Sequence, residues 1–255
     1  MGGASAVLRE GPSRENLERA LAAAVLLALL VAYYLGRERL PDLGENADVA
    51  LVVLTLIPAV FALVWLALPL RRARGLLAVG LAFGVLTAVC EAADLEVLAN
   101  FSKLAAATLV AFWFLAYFDS LVWIAAVAAL IPIVDSYSVF AGPTEKIVED
   151  EPEIFTLLSF FFPLPGEVGG ANLGIPDLLF FALFLAAADQ FGLRVGWTWL
   201  AMTLSFGLSL LSTVVFDVAG VPALPLLSLG FLVPNADVIW REVRTAWEAR
   251  NGDES

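Results

Sequence analysis

The chain has 255 residues, of which 61% are hydrophobic and only 16% charged, and its mean hydropathy is +0.88. Soluble domains are about one half apolar and one quarter charged, so this composition excludes an ordinary soluble protein and indicates a polytopic membrane protein. The 26 acidic and 14 basic residues give a net charge of −12, which argues against nucleic acid as a partner.

Missing residue types exclude several enzyme classes. The chain has no histidine, the commonest metal ligand and general base. This excludes both a zinc protease with an HExxH motif and a Ser-His protease of the rhomboid kind. The sole cysteine, Cys90, excludes an internal disulfide. We expect no cofactor and no bound metal.

Apolar stretches of about twenty residues predict an all-α transmembrane helix bundle with about eight spans rather than a β-barrel. We expect a single transmembrane domain over residues 1–255, in the cell membrane as a multi-pass protein. It divides into a polar N-terminal segment (1–19), N-terminal spans (20–118), later spans (119–240) with a loop at 141–172, and a polar tail (241–255). The expected spans are 20–35, 49–70, 75–92, 105–118, 121–140, 175–191, 196–216 and 221–240.

The loop at 141–172 is the one long polar connection in the sequence. Its apolar middle, IFTLLSFFFPLP, is too short to span a bilayer, so we expect it to lie at the interface or to cover a cleft. Non-helical backbone at membrane depth needs protein or water around it. Glycines then lead into the sixth span.

Two carboxylates lie inside apolar segments on either side of this loop. Asp135 follows about fourteen uncharged residues, and Asp177 lies within LGIPDLLFFALF. An ionisable group inside a span costs at least a few kcal/mol, so it persists where it has a partner, a cavity or a task. The alternative for Asp135 is an acid that ends its helix at the headgroup level. Counting about 1.5 Å per residue places both aspartates a turn or so beneath the loop, where carboxylates on adjacent helices can share a proton.

The other acids are expected to have structural positions. Asp119 precedes Asp135 by roughly 24 Å of helix, so it belongs near the opposite membrane face, in a tight turn with Ser120. Glu91 and Asp94 are expected to be solvated helix-terminal acids. Asp189 and Asp217 are likewise expected at helix ends or in loops.

Three motifs carry a resemblance to a known family. The stretch IVDSYSVFAGPTEKIVE around Asp135 resembles a helix with a Tyr-Asp pair, LGIPD at Leu173–Asp177 resembles a Gly-x-Gly-Asp motif, and Pro222, Ala223 and Leu224 match a Pro-Ala-Leu motif. In this order and spacing, over about residues 100–240, the chain is similar to the presenilin and signal peptide peptidase family of intramembrane aspartyl proteases, including its archaeal members.

This resemblance implies an endopeptidase that hydrolyses peptide bonds of transmembrane helical substrates within the lipid bilayer. It implies transmembrane proteins or signal-peptide-like segments as substrates and leaves the oligomeric state open. The implied catalytic residues are Asp135 and Asp177, and the implied substrate-binding residues are Gly174, Pro222, Ala223 and Leu224.

The chain departs from the family pattern in three respects. Val134 stands where the family has tyrosine, and Pro176 stands where it has glycine, which stiffens the approach and removes an amide donor. A proline in the first turn is nonetheless an ordinary helix start. The family usually has nine spans, and eight are expected here.

Two other functions fit the same residues. A proton-coupled transporter or channel could use the two aspartates as a proton relay. The absence of an internal repeat and of basic residues within the spans argues against it. A catalytically silent binder of membrane proteins is the second alternative, suggested by Val134 and Pro176.

Overall fold

The computed structural model describes residues 14–141, 157–166, 169–216 and 222–252, and this part of the chain is mostly helical. Two short strands, β1 (Ser159–Pro163) and β2 (Gly170–Gly174), form an antiparallel hairpin. The helices are α1 (Arg14–Gly36), α2 (Glu45–Leu51), α3 (Ile57–Ala67), α4 (Leu76–Ala92), α5 (Glu96–Leu115), α6 (Leu121–Ala141), α7 (Ile175–Gln190), α8 (Val195–Phe216), α9 (Ala223–Leu232) and α10 (Ala236–Gly252).

Five helical segments in the described part of the chain are long and apolar enough to cross a membrane. A π-helical turn, Val52–Leu56, joins α2 to α3, and these two helices form one such segment. Two further helices are apolar but shorter, namely α4 and the part of α6 from Leu121 to Tyr137. The composition and these segments support a membrane protein, whereas about eight spans remains a prediction. The five segments are Arg14–Arg39, Glu45–Arg72, Glu96–Leu115, Val195–Ser212 and Ala223–Ala249.

The structure corrects two expected spans. The fourth begins at Glu96 rather than at residue 105, because the polar residues Asn100 and Lys103 are buried within α5 instead of preceding it. The eighth is interrupted by the 3₁₀ turn Val233–Asn235, and the expected polar tail from residue 241 is helical as far as Gly252. Ion pairs one turn apart, such as Arg244–Glu248, favour this continuation.

The hairpin departs from the expected fold class. An all-α fold was expected, with the segment at 154–165 at the interface or over a cleft. Instead β1 lies inside the protein, with Phe160 and Phe162 fully enclosed. A β-strand at this depth is allowed because protein surrounds it.

α7 is the central helix. It is apolar on every side, as expected for a helix enclosed by others, and its residues from Phe181 to Ala188 are all inaccessible to solvent. It packs against α5, α6, α8 and α9. Phe181 stacks on Phe61 at 3.8 Å between ring centroids, and Phe184 stacks on Phe231 at 4.9 Å. The first turn of α7 carries Asp177, so the best-packed helix positions that carboxylate.

Ion pairs mark one end of the bundle. Arg71 pairs with Asp189 at 2.6 Å and Arg194 with Asp237 at 2.7 Å, both where α7 ends, and we name this the arginine end. The hairpin marks the opposite end, which we name the hairpin end. By the positive-inside rule, the arginine end is expected to face the cytoplasm.

At the arginine end, a buried asparagine connects the end of α9 with the start of α8 through hydrogen bonds. Asn235 is 0% exposed, and its amide donates to the Thr198 hydroxyl at 2.8 Å and to the Phe231 carbonyl at 2.8 Å. Its carbonyl accepts from the Arg194 N–H at 3.1 Å. One side chain therefore satisfies polar groups from α9 and from the start of α8.

We expect Asn235→Ala to lower the free energy of unfolding by about 1–3 kcal/mol, because it leaves buried polar groups without a hydrogen-bond partner. Thermal unfolding in detergent measures the change. Asp237→Asn is the matched control two residues away, since it weakens an exposed ion pair and should lower the midpoint temperature less. An equal loss in both variants would contradict the role given to Asn235.

Candidate functional site

Asp135 and Asp177 approach each other at the hairpin end. Asp135 lies in the last part of α6, one turn after Pro132, and Asp177 lies in the first turn of α7. Both side chains are partly buried. They lie close enough for their charges to repel each other. The structure therefore brings together the two aspartates that the sequence singles out.

The start of α9 contacts Asp135. The Leu224 N–H donates to Oδ2 of Asp135 at 3.2 Å. The first amides of a helix have no partner within the helix, and the helix dipole favours a negative charge there. Pro222 is the N-cap of α9, with φ −54° and ψ 119°, and its side chain is buried. The last part of α6 and the start of α9 thus meet at the carboxylate of Asp135.

Gly174 connects the hairpin to Asp177. It ends β2 and is the N-cap of α7, three residues before Asp177. A Cβ at this position would lie 3.1 Å from Oδ2 of Asp177. The absence of a side chain lets the carboxylate sit against the strand end. Pro176 lies in the first turn of α7, as an ordinary helix start.

Asn100 of α5 binds the middle of β1. Its side-chain amide donates to the Phe161 carbonyl at 2.9 Å, and its side-chain carbonyl accepts from the Phe161 N–H at 2.8 Å. Asn100 therefore pairs with the outer edge of β1 as a neighbouring strand would. Two tyrosines of α1 add to this, because Tyr34 donates to the Phe161 carbonyl and Tyr33 to the Pro163 carbonyl, each at 2.8 Å.

The hairpin turn packs against the connection after α1. The Gly166 N–H donates to the Arg37 carbonyl at 3.0 Å, and the Arg37 guanidinium lies 5.6 Å from the Phe161 ring centroid. Gly166 has φ +70°, and a Cβ there would lie 2.7 Å from the Asp42 amide nitrogen. Glycine is therefore required at this turn, on both conformational and steric grounds.

The outer edge of β2 is free of backbone partners among the described residues. The Ile175 N–H donates to the Leu158 carbonyl, and the Leu164 N–H donates to the Gly169 carbonyl. In an antiparallel pair the hydrogen-bonded positions alternate, so the N–H and C=O of Asn172, which lies opposite Phe161, point away from β1. No described residue pairs with them through its backbone. This edge runs directly into Gly174 and Asp177.

The remaining acids lie elsewhere. Asp119 is exposed in the turn between α5 and α6, as expected, and it lines a cavity of about 210 Å³ with Phe191 at the arginine end. Asp189 pairs with Arg71 at the end of α7. Glu91 was expected to be solvated, but it pairs with the buried Lys103 at 2.7 Å. Asp217 lies outside the described residues. In the described ranges, no group of three or more His, Cys, Asp or Glu side chains could hold a metal ion.

The hydrogen bonds between Asn100 and β1 were not predicted from the sequence. Asn100 lies in an otherwise apolar helix, and a polar side chain inside a span is a signal for an interhelical hydrogen bond. Its partner could not be identified, because Phe161 lies 61 residues further along the chain.

Comparison of the chain with models of protein families gave no match, and comparison with curated proteins gave none either.

We expect Asn100→Ala to loosen the hairpin, because the buried N–H of Phe161 then loses its acceptor. The penalty for such a group is about 1–3 kcal/mol. Amide hydrogen exchange at Phe161 should accelerate by about one to two powers of ten. Thr87→Ala is the matched control, since Thr87 is equally enclosed but bonds only to the Phe83 carbonyl of its own helix. Unchanged exchange at Phe161 would show that Asn100 does not hold the strand.

Proposed function

We propose that this protein is an intramembrane aspartyl protease of the presenilin and signal peptide peptidase kind, in which Asp135 and Asp177 hydrolyse a peptide bond of a transmembrane substrate. One observation carries the proposal. The aspartates of two apolar helices meet at the end of a hairpin, and the amide of Leu224 contacts one of them. The three motifs of the resemblance thus lie together in space.

The mechanism requires one ionised and one protonated carboxyl group. Two neighbouring carboxylates in an apolar site share a proton, which supplies an acid and a base at the same pH. The ionised aspartate takes a proton from water as the water oxygen bonds to the carbonyl carbon. The protonated aspartate donates to the carbonyl oxygen. The first aspartate then gives the proton it took from water to the amine nitrogen as the C–N bond breaks. The second aspartate takes a proton back from a hydroxyl of the tetrahedral intermediate, which leaves a carboxylic acid and restores the pair.

An exposed apolar face beside Asp135 offers a route for a helical substrate. Pro132 removes one hydrogen bond from α6, and the following Ile133, Val134 and Tyr137 are all exposed. The earlier part of α6, at Ile124 and Ala128, is fully buried. The part of α6 that carries Asp135 thus presents uncovered apolar surface beside the carboxylate.

The edge of β2 that has no backbone partner among the described residues supports a role in holding the substrate. A helix must unwind before its carbonyl is reachable, and an extended segment can add to an open strand edge through backbone hydrogen bonds. The edge at Asn172 leads to Asp177 within five residues. A strand bound there would place its backbone beside the two aspartates. Gly174 and the start of α9, from Pro222 to Leu224, would border the bound segment.

We expect Asp135→Asn and Asp177→Asn each to reduce cleavage by at least about a hundredfold, the usual loss when a general acid or base is removed. Cleavage of a transmembrane helical peptide in liposomes measures the rate. In the unsubstituted protein the rate should fall at both low and high pH, because the reaction needs one carboxyl in each protonation state.

Asp119→Asn is the control for these variants, since it removes a carboxyl at the opposite end of the bundle and should leave most of the activity. Full cleavage by Asp135→Asn would refute the proposal. Proton flux without cleavage would instead favour a transporter, and the absence of both would favour a silent binder.

We expect Gly174→Ala to lower the cleavage rate about tenfold while the protein stays folded, because the new methyl group displaces the carboxylate of Asp177. Gly84→Ala is the matched control, since no atom lies within 4 Å of its added Cβ and alanine favours the helix. Kinetics and thermal unfolding of both variants test this. Equal rates in the two variants would mean that the position of Asp177 tolerates the crowding.

A further inference from the structure

α10 has an apolar stripe on one side. At 100° per residue its apolar side chains recur every three or four positions, whereas its charged residues lie mainly on the other side. It is the most amphipathic helix that the structure describes, since the other helices are apolar over most of their surface. The stripe consists of Ala236, Ile239, Trp240, Val243, Ala246 and Trp247.

The bundle covers only part of this stripe. Ile239 is buried and Val243 is half-buried, where α10 packs beside the start of α6. The side chains from Arg244 to Ala249 are all exposed. Trp240 and Trp247 are 68% and 64% exposed, although they lie seven residues apart on the same side of the helix. Two large aromatic side chains are therefore uncovered by the described protein.

The charged side of α10 is balanced. Asp237 binds Arg194, and Arg244 pairs with Glu248 at 2.7 Å. Arg194 and Arg244 are thus each matched by an acid of the same protein. Attraction to anionic groups is a weak source of binding for such a surface.

The same end of the bundle carries further uncovered tryptophans. Trp123, near the start of α6, is 65% exposed, and Trp197, near the start of α8, is 67% exposed. Both helix starts lie at the arginine end. Tryptophan is enriched where a membrane meets water, because its ring is apolar and its N–H is polar. Trp123, Trp197 and Trp240 thus give the arginine end the side chains that are expected at a membrane boundary.

The length of the last helical segment places α10 at this boundary. Ala223–Ala249 has 27 residues, about 40 Å at 1.5 Å per residue, whereas the hydrocarbon core is about 30 Å thick. A straight segment of this length exceeds the core by about seven residues, and the pairing of Asp237 with Arg194 places the first turn of α10 at the arginine end. The 3₁₀ turn Val233–Asn235, with its proline, allows α10 to leave the direction of α9.

We propose that α10 is an interfacial helix, which lies in the headgroup layer at the arginine end and inserts Trp240 and Trp247 into the lipid. Its partner is the bilayer itself. Binding comes from burial of the aromatic and aliphatic stripe rather than from lipid charge, because Arg194 and Arg244 are already paired with acids. An amphipathic helix with Trp on its apolar side and a charged opposite side has this behaviour. The inference does not depend on protease activity.

Spin labels on adjacent residues of α10 test the proposal. In the full-length Cys90→Ser protein, Trp247→Cys carries a label on the stripe, and Glu248→Cys carries one on the charged side about 100° away. The protein is reconstituted in phosphatidylcholine vesicles, which carry no net charge. Oxygen concentrates in lipid and a nickel chelate in water, so the ratio of their relaxation effects should be several-fold higher for the label at 247 than at 248.

The ratio at 247 should stay the same in high salt and when anionic lipid is added. Equal nickel accessibility at both positions would overturn the proposal, because α10 would then project into water. Dipolar broadening at 247 that disappears on dilution with unlabelled protein would also overturn it, since a second copy would cover the stripe. A ratio that rises only with anionic lipid would refute aromatic burial as the source of binding.

Discussion

A strand enclosed by helices must have its backbone polar groups satisfied by its surroundings, and the site depends on how β1 meets this requirement. β2 pairs with one edge, and the side chain of Asn100 takes the place of a strand at the other. Tyr33 and Tyr34 supply two more donors. Because the register of the hairpin is fixed in this way, Gly174 is held at the start of α7 and against Asp177. Polar groups of α1 and α5 thereby help to position the carboxylate of Asp177.

The two aspartates are held by different means. Asp177 belongs to the central helix, which is packed on all sides and begins where the hairpin ends. Asp135 lies after Pro132, in a part of α6 with exposed neighbours, and its described hydrogen bond comes from the amide of Leu224 at the start of α9. One carboxylate is thus rigidly placed and the other depends on an interhelical contact. This asymmetry would suit the proposed protease site, which has to admit a helical substrate from the membrane.

Polar contacts are concentrated at the two ends of the bundle. Asn235 ties α9 to the start of α8 at the arginine end, whereas Asn100 ties α5 to β1 at the hairpin end. Between them the core consists of apolar side chains such as Phe61 and Phe181. In an apolar core with few directional interactions, these amides determine how the helices are aligned along their axes.

The sequence by itself determined the membrane class, the helical character and the two suspect carboxylates, because long apolar runs and a charge inside them are local properties of the chain. It also placed Asp119 in a turn at the other end, by counting residues. It did not predict β1, since a five-residue apolar segment is ambiguous between interfacial and buried structure, nor its partner Asn100. The paired state of Glu91 and the helical continuation to Gly252 were likewise decided by the tertiary structure. A buried polar group is satisfied only by whatever the fold brings beside it, and that partner lies too far along the chain for any local pattern to specify.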